Sequence, residues 1–169
     1  MLSEAMMTVM TGQAPASISF RRALASEAPA LRDLVVRSMG YWDHPPGYLG
    51  EARRLMSLSV EDLRRDEAWV VLVDGAVAGF YRLSRRDECA EIEEFHLEPR
   101  TIGRGIGRRM FENASERARA VGARWLIWST DTNALGFYLR MGGEITGTTP
   151  SGIAGEEPLT CMRLDLRTP

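Results

Sequence analysis

Short apolar runs alternate with helical apolar stripes along the chain, and together they predict most of its secondary structure. Alternating or continuous apolar residues predict strands at 18–22, 69–73, 77–83, 89–97, 125–128, 144–148 and 159–166. Apolar residues at helical spacing predict a helix that Ser26 caps and Gly40 ends, helices over 48–57, 104–121 and 132–141, and a short turn at 60–63. The resulting order is β-α-α-β-β-β-α-β-α-β-β.

The clearest local signal is a β-hairpin around Asp74-Gly75, because both residues tolerate the positive φ that a tight hairpin turn needs. A strand over 89–97 follows, and a helix then leads to the strand over 125–128. Such a strand–helix–strand unit pairs in parallel and crosses over right-handedly. The chain is therefore predicted to be an α/β (α+β) protein with a mixed sheet.

Length and composition favour one globular domain. With 169 residues, 44% of them hydrophobic, we expect a flexible lead-in over residues 1–16 and a single domain over 17–169. The net charge of −2 does not favour nucleic acid as a partner, and no apolar run is long enough to span a membrane. Cys89 and Cys161 lack metal-site spacing, so no metal is expected. Without a signal peptide, we expect a cytoplasmic protein, monomeric or homodimeric.

The stretch from Glu91 to Arg109 carries the strongest chemical signal. A predicted strand leads through Pro99 into glycines at 103, 105 and 107, and a helix follows. Backbone N–H groups at such a helix start can bind phosphate, and glycines let the ligand approach closely. A dinucleotide fingerprint fails because its third glycine would fall on Arg108 or Met110, and a P-loop fails because the chain has no lysine among its 21 basic residues. A purely structural turn stays as an alternative.

The loop G-R-G-I-G-R, followed by a helix and then by N-A-L-G-F-Y-L-R-M-G-G from Asn133, resembles the GNAT superfamily of acetyl-CoA-dependent N-acetyltransferases. Gly105 and Gly107 match the two glycine places of the signature Gln/Arg-x-x-Gly-x-Gly/Ala, while Ile102 departs from its first place. The resemblance covers nearly the whole chain. It implies a mixed, mostly antiparallel central sheet of six or seven strands with helices on both faces.

The resemblance implies that acetyl-CoA is the cosubstrate. The loop would hold the pyrophosphate through backbone N–H groups, and the strand before it would lie along the pantetheine arm. The residues implied to bind the cofactor are Phe95, His96, Leu97, Ile102, Gly103, Arg104, Gly105, Ile106, Gly107, Arg108, Asn133 and Phe137. Asn133 has capping of the following helix as an alternative role.

Acetyl transfer to an amine needs a base for the nucleophile and an acid for the leaving thiolate. Strict alternation places Glu91 and Glu93 on one strand face and Glu94 on the other, and Glu91 and Glu93 are equally good candidates for the base. His96 is a further candidate. Tyr138 matches the tyrosine that protonates the CoA sulfur in the family, with a core tyrosine as the alternative.

The acceptor is expected to be the primary amine of a small molecule. Tyr41, Trp42 and Asp43 form an aromatic loop with one carboxylate, and a late loop over 151–158 is expected on the other side of the cleft. Two other functions stay open, a non-catalytic acyl-CoA-binding module and a protein or peptide N-acetyltransferase.

Overall fold

A computed structural model describes residues 16–55, 57–153 and 155–167, so the predicted lead-in lies almost entirely outside the described residues. The described helices are α1 Ala28–Met39, α2 Tyr48–Leu55, α3 Val60–Arg65, α4 Ile106–Ala120 and α5 Thr132–Arg140. The described strands are β1 Ile18–Arg22, β2 Glu67–Val73, β3 Ala76–Arg86, β4 Cys89–Leu97, β5 Trp125–Thr130, β6 Glu144–Thr149 and β7 Leu159–Asp165.

These seven strands form one sheet in the order β1-β2-β3-β4-β5-β7-β6. Only β4 and β5 pair in parallel, and the other neighbours pair antiparallel. Helix α4 and Tyr138 of α5 pack on one face of the sheet, and α1 and α3 pack on the other. The predicted fold class, with its mostly antiparallel sheet covered on both faces, is confirmed.

The first and last helices begin in different ways. Ser26 does not cap α1, because residues 25–27 form a 3₁₀ turn and the helix starts one residue later with Pro29 in its first turn. Asp131 caps α5, since its Oδ1 accepts hydrogen bonds from the backbone N–H groups of Asn133 and Ala134 at 2.9 and 3.1 Å. Asn133 therefore does not provide the cap.

Strands β4 and β5 stay together for only three residue pairs. Cys89, Ala90 and Glu91 lie opposite Trp125, Leu126 and Ile127, and β5 then continues along β7 while β4 continues along β3. The two parallel strands therefore separate in the middle of the sheet. The gap lies at the carboxyl ends of both strands, where open α/β sheets place their ligands.

Across the described ranges, no helix combines the length and the apolar character that a membrane crossing requires.

Candidate functional site

Two neighbouring cavities open where β4 separates from β5. One, of about 860 Å³, is bordered by the loop before α4 and by α5, and is called here the glycine-loop cavity. The other, of about 400 Å³, lies between the end of α1, strand β4 and the β5–α5 junction, and is called the acidic cavity. Both are lined by Ser38, Trp42, Phe95, Ala134 and Tyr138. A ligand in one cavity can therefore meet a ligand in the other at these side chains.

The glycine-loop cavity has the features of a phosphate site at a helix start. Gly103 and Gly105 have φ of 78° and 77°, a left-handed conformation that strains other residues, and Gly105 is the N-cap of α4. The N–H groups in the first turn of α4 have no partner within the helix, so they are available to an anion. Arg108 and Arg140 add positive charge to the lining.

The rest of this cavity suits an apolar arm. Leu97 of β4 and Phe137 of α5 both line it, and a Cβ on Gly107 would lie 3.4 Å from Leu97 Cδ1 and 3.5 Å from Phe137 Cε2. Glycine at 107 thus leaves space between the strand and the two helices. The cavity offers a charged end at the loop and an apolar wall toward Tyr138.

Nine of the twelve residues expected at the cofactor line this cavity: Phe95, Leu97, Ile102, Gly103, Gly105, Gly107, Arg108, Asn133 and Phe137. His96 lines the acidic cavity instead, Arg104 is exposed outside both, and the Ile106 side chain is 3% exposed in the core beneath the loop. Arg140 was missed by sequence reasoning. Its only signal was its place beside the glycine pair that ends α5.

A β-bulge at Glu93 sets the chemistry of the acidic cavity. Leu83 of β3 lies opposite Ile92 and Arg82 lies opposite Glu94, so Glu93 is an extra residue in β4. Directly opposed residues of neighbouring strands point to the same face of the sheet. Glu94 lies opposite Arg82 and Glu91 lies opposite Ser84. Because Arg82 and Ser84 are two residues apart in β3 and share a face, Glu94 and Glu91 share that face too. The expectation that Glu94 points to the other face is therefore wrong, because strict alternation stops at the bulge.

The carboxylates of β4 differ in their surroundings. Glu93 and Glu94 line the acidic cavity, and Glu91 does not. Glu93 accepts a hydrogen bond from Ser84 Oγ at 2.6 Å, and Glu91 is ion-paired with Arg86. Burial raises the pKa of Glu91, the charge of Glu93 adds to the rise, and Arg86 opposes it. Of the two equal candidates for a base, only Glu93 faces the cavity.

His96 is held by its neighbour on the same strand face. Its Nε2 lies 2.9 Å from Glu94 Oε2, and its ring packs near Phe80 of the α1-side core with centroids 6.1 Å apart. Glu94 and His96 are two residues apart in β4, so they share a strand face, and this spacing was a sequence signal for their contact. The pairing of β4 with β3 places that face on the side of Glu91.

Tyr138 lies where the two cavities meet. Its side chain is 6% exposed and packs against Phe95, Phe111, Trp128 and Phe137, with ring centroids 5.0–5.9 Å away. Within the described ranges its hydroxyl has no hydrogen-bond partner. Burial raises the pKa of the phenol above its ordinary range, and the charge of Asp131 adds to the rise. The hydroxyl therefore stays protonated and free to donate.

The predicted aromatic loop contributes one of its three residues. Trp42 lines both cavities, while Tyr41 and Asp43 are exposed and line neither. His44 and Tyr48, which sequence reasoning did not select, line the acidic cavity and stack with their ring centroids 3.8 Å apart. Their signal was present in the same aromatic run. The late loop contributes Ser151 and Ile153 to the opposite wall, as expected.

The chain is similar to known proteins in sequence and in fold. A model described as the acetyltransferase (GNAT) family matches residues 29–143. An uncharacterised N-acetyltransferase of Lactobacillus delbrueckii subsp. lactis is 35% identical over an alignment of 81 positions that covers 41% of this chain and 47% of that protein. The match therefore spans about half the length of that relative.

Solved structures share the fold. PaiA N-acetyltransferase from Thermoplasma acidophilum, in complex with coenzyme A, has a TM-score of 0.75 at 16% identity, over 88% of this chain and 99% of that chain. A GCN5-related N-acetyltransferase from Rhodopseudomonas palustris has a TM-score of 0.75 at 19% identity, over 91% and 99%. The ribosomal-protein-S18-alanine N-acetyltransferase of Escherichia coli has a TM-score of 0.68 at 15% identity, over 89% and 94%.

Proposed function

Because this chain belongs to the acetyltransferase (GNAT) family, we propose that it transfers an acetyl group from acetyl-CoA to the primary amine of a small molecule. The observation that carries the proposal is the meeting of two chemically different cavities at Tyr138 and Phe95. One cavity suits a phosphate-bearing ligand with an apolar arm, and the other has carboxylates that can accept a proton. Together they provide what transfer to an amine requires.

Acetyl-CoA fits the glycine-loop cavity and supplies an acetyl group activated as a thioester. The first turn of α4 and Arg108 would hold its phosphates, since neither needs a lysine. Leu97 and Phe137 would line its apolar arm, and the side chain of Asn133 is free for a polar contact because Asp131 provides the helix cap. Ile102, which stands where the family signature has Gln or Arg, leaves the backbone N–H donors of the loop in place.

Transfer forms a bond between the amine nitrogen and the acetyl carbon and breaks the carbon–sulfur bond. One proton must therefore leave the nitrogen and one must reach the sulfur. Glu93 takes the first proton, directly or through water, because it faces the acidic cavity and its Oε2 has no partner within the described part of the chain. Ser84 holds the other oxygen and thereby fixes the carboxylate.

Tyr138 supplies the second proton. Its buried hydroxyl lies between the cavities, and its raised pKa keeps it protonated at every pH at which the protein would be assayed. The same burial disfavours the charged thiolate of CoA, so the pKa of the CoA thiol beside Tyr138 would also be raised. Proton transfer between the two groups stays feasible for that reason.

Coverage of the acidic cavity favours a small acceptor. The α1–α2 connection and α2 contribute Trp42, His44 and Tyr48, and the β6–β7 loop contributes Ser151 and Ile153. These segments reduce the cavity to about 400 Å³, a volume typical of small-molecule sites. A protein or peptide acceptor would need a more open cleft.

Turnover with amines tests this function directly. Purified protein with acetyl-CoA and a panel of primary amines, amino acids and short peptides should release CoA thiol in equal amount to acetylated amine, measured by thiol colorimetry and mass spectrometry. Binding of acetyl-CoA without turnover on any acceptor would identify a non-catalytic module. Turnover on peptides alone would identify a peptide acetyltransferase.

Gly105→Ala is expected to weaken acetyl-CoA binding about tenfold, because relief of its left-handed strain moves N–H donors that contact phosphate. Gly122→Ala is the matched control, since it follows the same helix with φ of 80° and equally open surroundings. Both variants should lose about 1 kcal/mol of stability. Isothermal titration with CoA should show weaker binding for Gly105→Ala alone. Equal CoA affinities of the two variants would contradict phosphate binding by the loop before α4.

Glu93→Gln should lower kcat/KM about 100-fold at neutral pH, because the amide cannot accept the amine proton. Glu91→Gln is the comparison, since Glu91 lies two residues away, shares Arg86 and does not line the cavity. Its kcat/KM should stay within about threefold of the parent protein. A larger loss in Glu91→Gln than in Glu93→Gln would transfer the role to Glu91.

Tyr138→Phe should lower kcat about 100-fold and leave acetyl-CoA affinity unchanged, because it removes only the proton donor. Tyr81→Phe is the control, since the Tyr81 side chain is buried and lines neither cavity. Its hydroxyl donates a 2.6 Å hydrogen bond to Asn113 Oδ1. This variant should lose about 1 kcal/mol of stability with little change in kcat. A Tyr138→Phe protein with normal kcat would remove Tyr138 from the mechanism.

A further inference from the structure

Charged side chains are divided between the two cavities by sign. Arg108 and Arg140 line the glycine-loop cavity, which has no carboxylate in the described lining. Glu93, Glu94 and Asp131 line the acidic cavity, whose described lining contains no arginine. Residues 1–15, 56, 154 and 168–169 contain no arginine, lysine or histidine.

Each of the three carboxylates keeps an oxygen for a ligand. Glu93 uses Oε1 for the Ser84 hydroxyl at 2.6 Å, and Glu94 uses Oε2 for His96 Nε2 at 2.9 Å. Asp131 uses Oδ1 for two backbone N–H groups of α5. The second oxygen of each has no partner in the ranges that the structure describes. Arg86 approaches Glu93 at the other oxygen, with its Nη2 3.5 Å from Glu93 Oε1. Three carboxylate oxygens without a protein partner, in a cavity whose described lining has no arginine, favour a cationic ligand.

Two further features show that the cavity is built for a reacting ligand. Trp42, Tyr48 and Trp128 give it aromatic walls, whose ring faces attract cations. Tyr138 brings a hydroxyl that lacks a partner in the described part of the chain, on a side chain more than nine-tenths buried, to the end shared with the glycine-loop cavity. The carboxylates therefore line a defined cavity, and they are not a solvated surface cluster.

Resting on the proposed function, we infer that the acceptor is a short diamine that binds with its second amine protonated. The reacting amine must lose its proton to Glu93 before it attacks the acetyl carbon. The distal ammonium keeps its proton and pairs with Glu94 and Asp131. A monoamine leaves the second oxygen of each of these two carboxylates without a partner. An amino acid adds a carboxylate to a cavity that has no arginine to receive it.

Three acceptors of equal chain length test this inference: a four-carbon diamine, the four-carbon monoamine and the four-carbon ω-amino acid. The distal ammonium should make charge-assisted hydrogen bonds, so kcat/KM for the diamine should exceed that for the monoamine about 10- to 100-fold. The amino acid should be the poorest acceptor. Added salt should reduce the preference. Equal kcat/KM for diamine and monoamine would overturn the inference.

Variants that remove one negative charge test whether Glu94 and Asp131 cause the preference for the diamine. Glu94→Gln keeps the side-chain size, and Asp131→Asn keeps a good helix cap, so both should fold. Each should reduce the diamine-to-monoamine ratio of kcat/KM about tenfold. Glu116→Gln on the exposed face of α4 is the control, and it should leave the ratio unchanged. An unchanged ratio in both cavity variants would contradict the assignment.

Binding separates failure of this inference from failure of the proposed function. If no acceptor releases CoA, the proposed function is wrong, and isothermal titration with protein and CoA then decides the ligand class. Tighter binding of the diamine than of the monoamine would still support the inference. Equal or absent binding of the diamine would overturn it.

Discussion

The separation of β4 from β5 after three residue pairs is the constraint on which both cavities depend. Buried backbone N–H and C=O groups need hydrogen-bond partners. Beyond Glu91, the backbone groups of β4 that point toward β5 have no partners in β5. That side of the strand is thus open to a ligand. Beyond Ile127, β5 follows β7 up to Thr130, while β4 follows β3 up to Leu97. The gap is therefore fixed by the sheet itself.

An aromatic cluster keeps the meeting point of the cavities rigid. Phe95 of β4, Phe111 of α4, Trp128 of β5 and Phe137 of α5 all contact Tyr138, so four separate elements determine where its hydroxyl lies. Aromatic rings pack with few rotamers, and a buried ring held on several sides moves little. The side chain between the two cavities is thus held by several elements of the fold.

Sequence reasoning predicted the fold and family because these depend on local patterns. The Asp74-Gly75 turn, the glycine loop and the Asn133 motif each have a short signature, and the family match confirms their combined interpretation. The face of Glu94 relative to Glu91 was not predictable, because it depends on how β3 and β4 pair. Arg140 and Tyr48 were not selected as lining residues, because tertiary packing is what brings them to the cavities. The oligomeric state and the cytoplasmic location stay predictions.

The bulge has a consequence for the length of β4. Without Glu93, Ile92 and Glu94 would be consecutive, and they already lie opposite consecutive residues of β3. Every other side chain of β4 would keep its face, since a regular pairing with β3 has one residue fewer between Glu91 and Phe95. The sheet can therefore dispense with Glu93, the one position of β4 whose deletion shortens the strand without a shift in register. Glu93 thus interrupts the ladder, adds nothing to the described core and places a carboxylate in the lining of the acidic cavity.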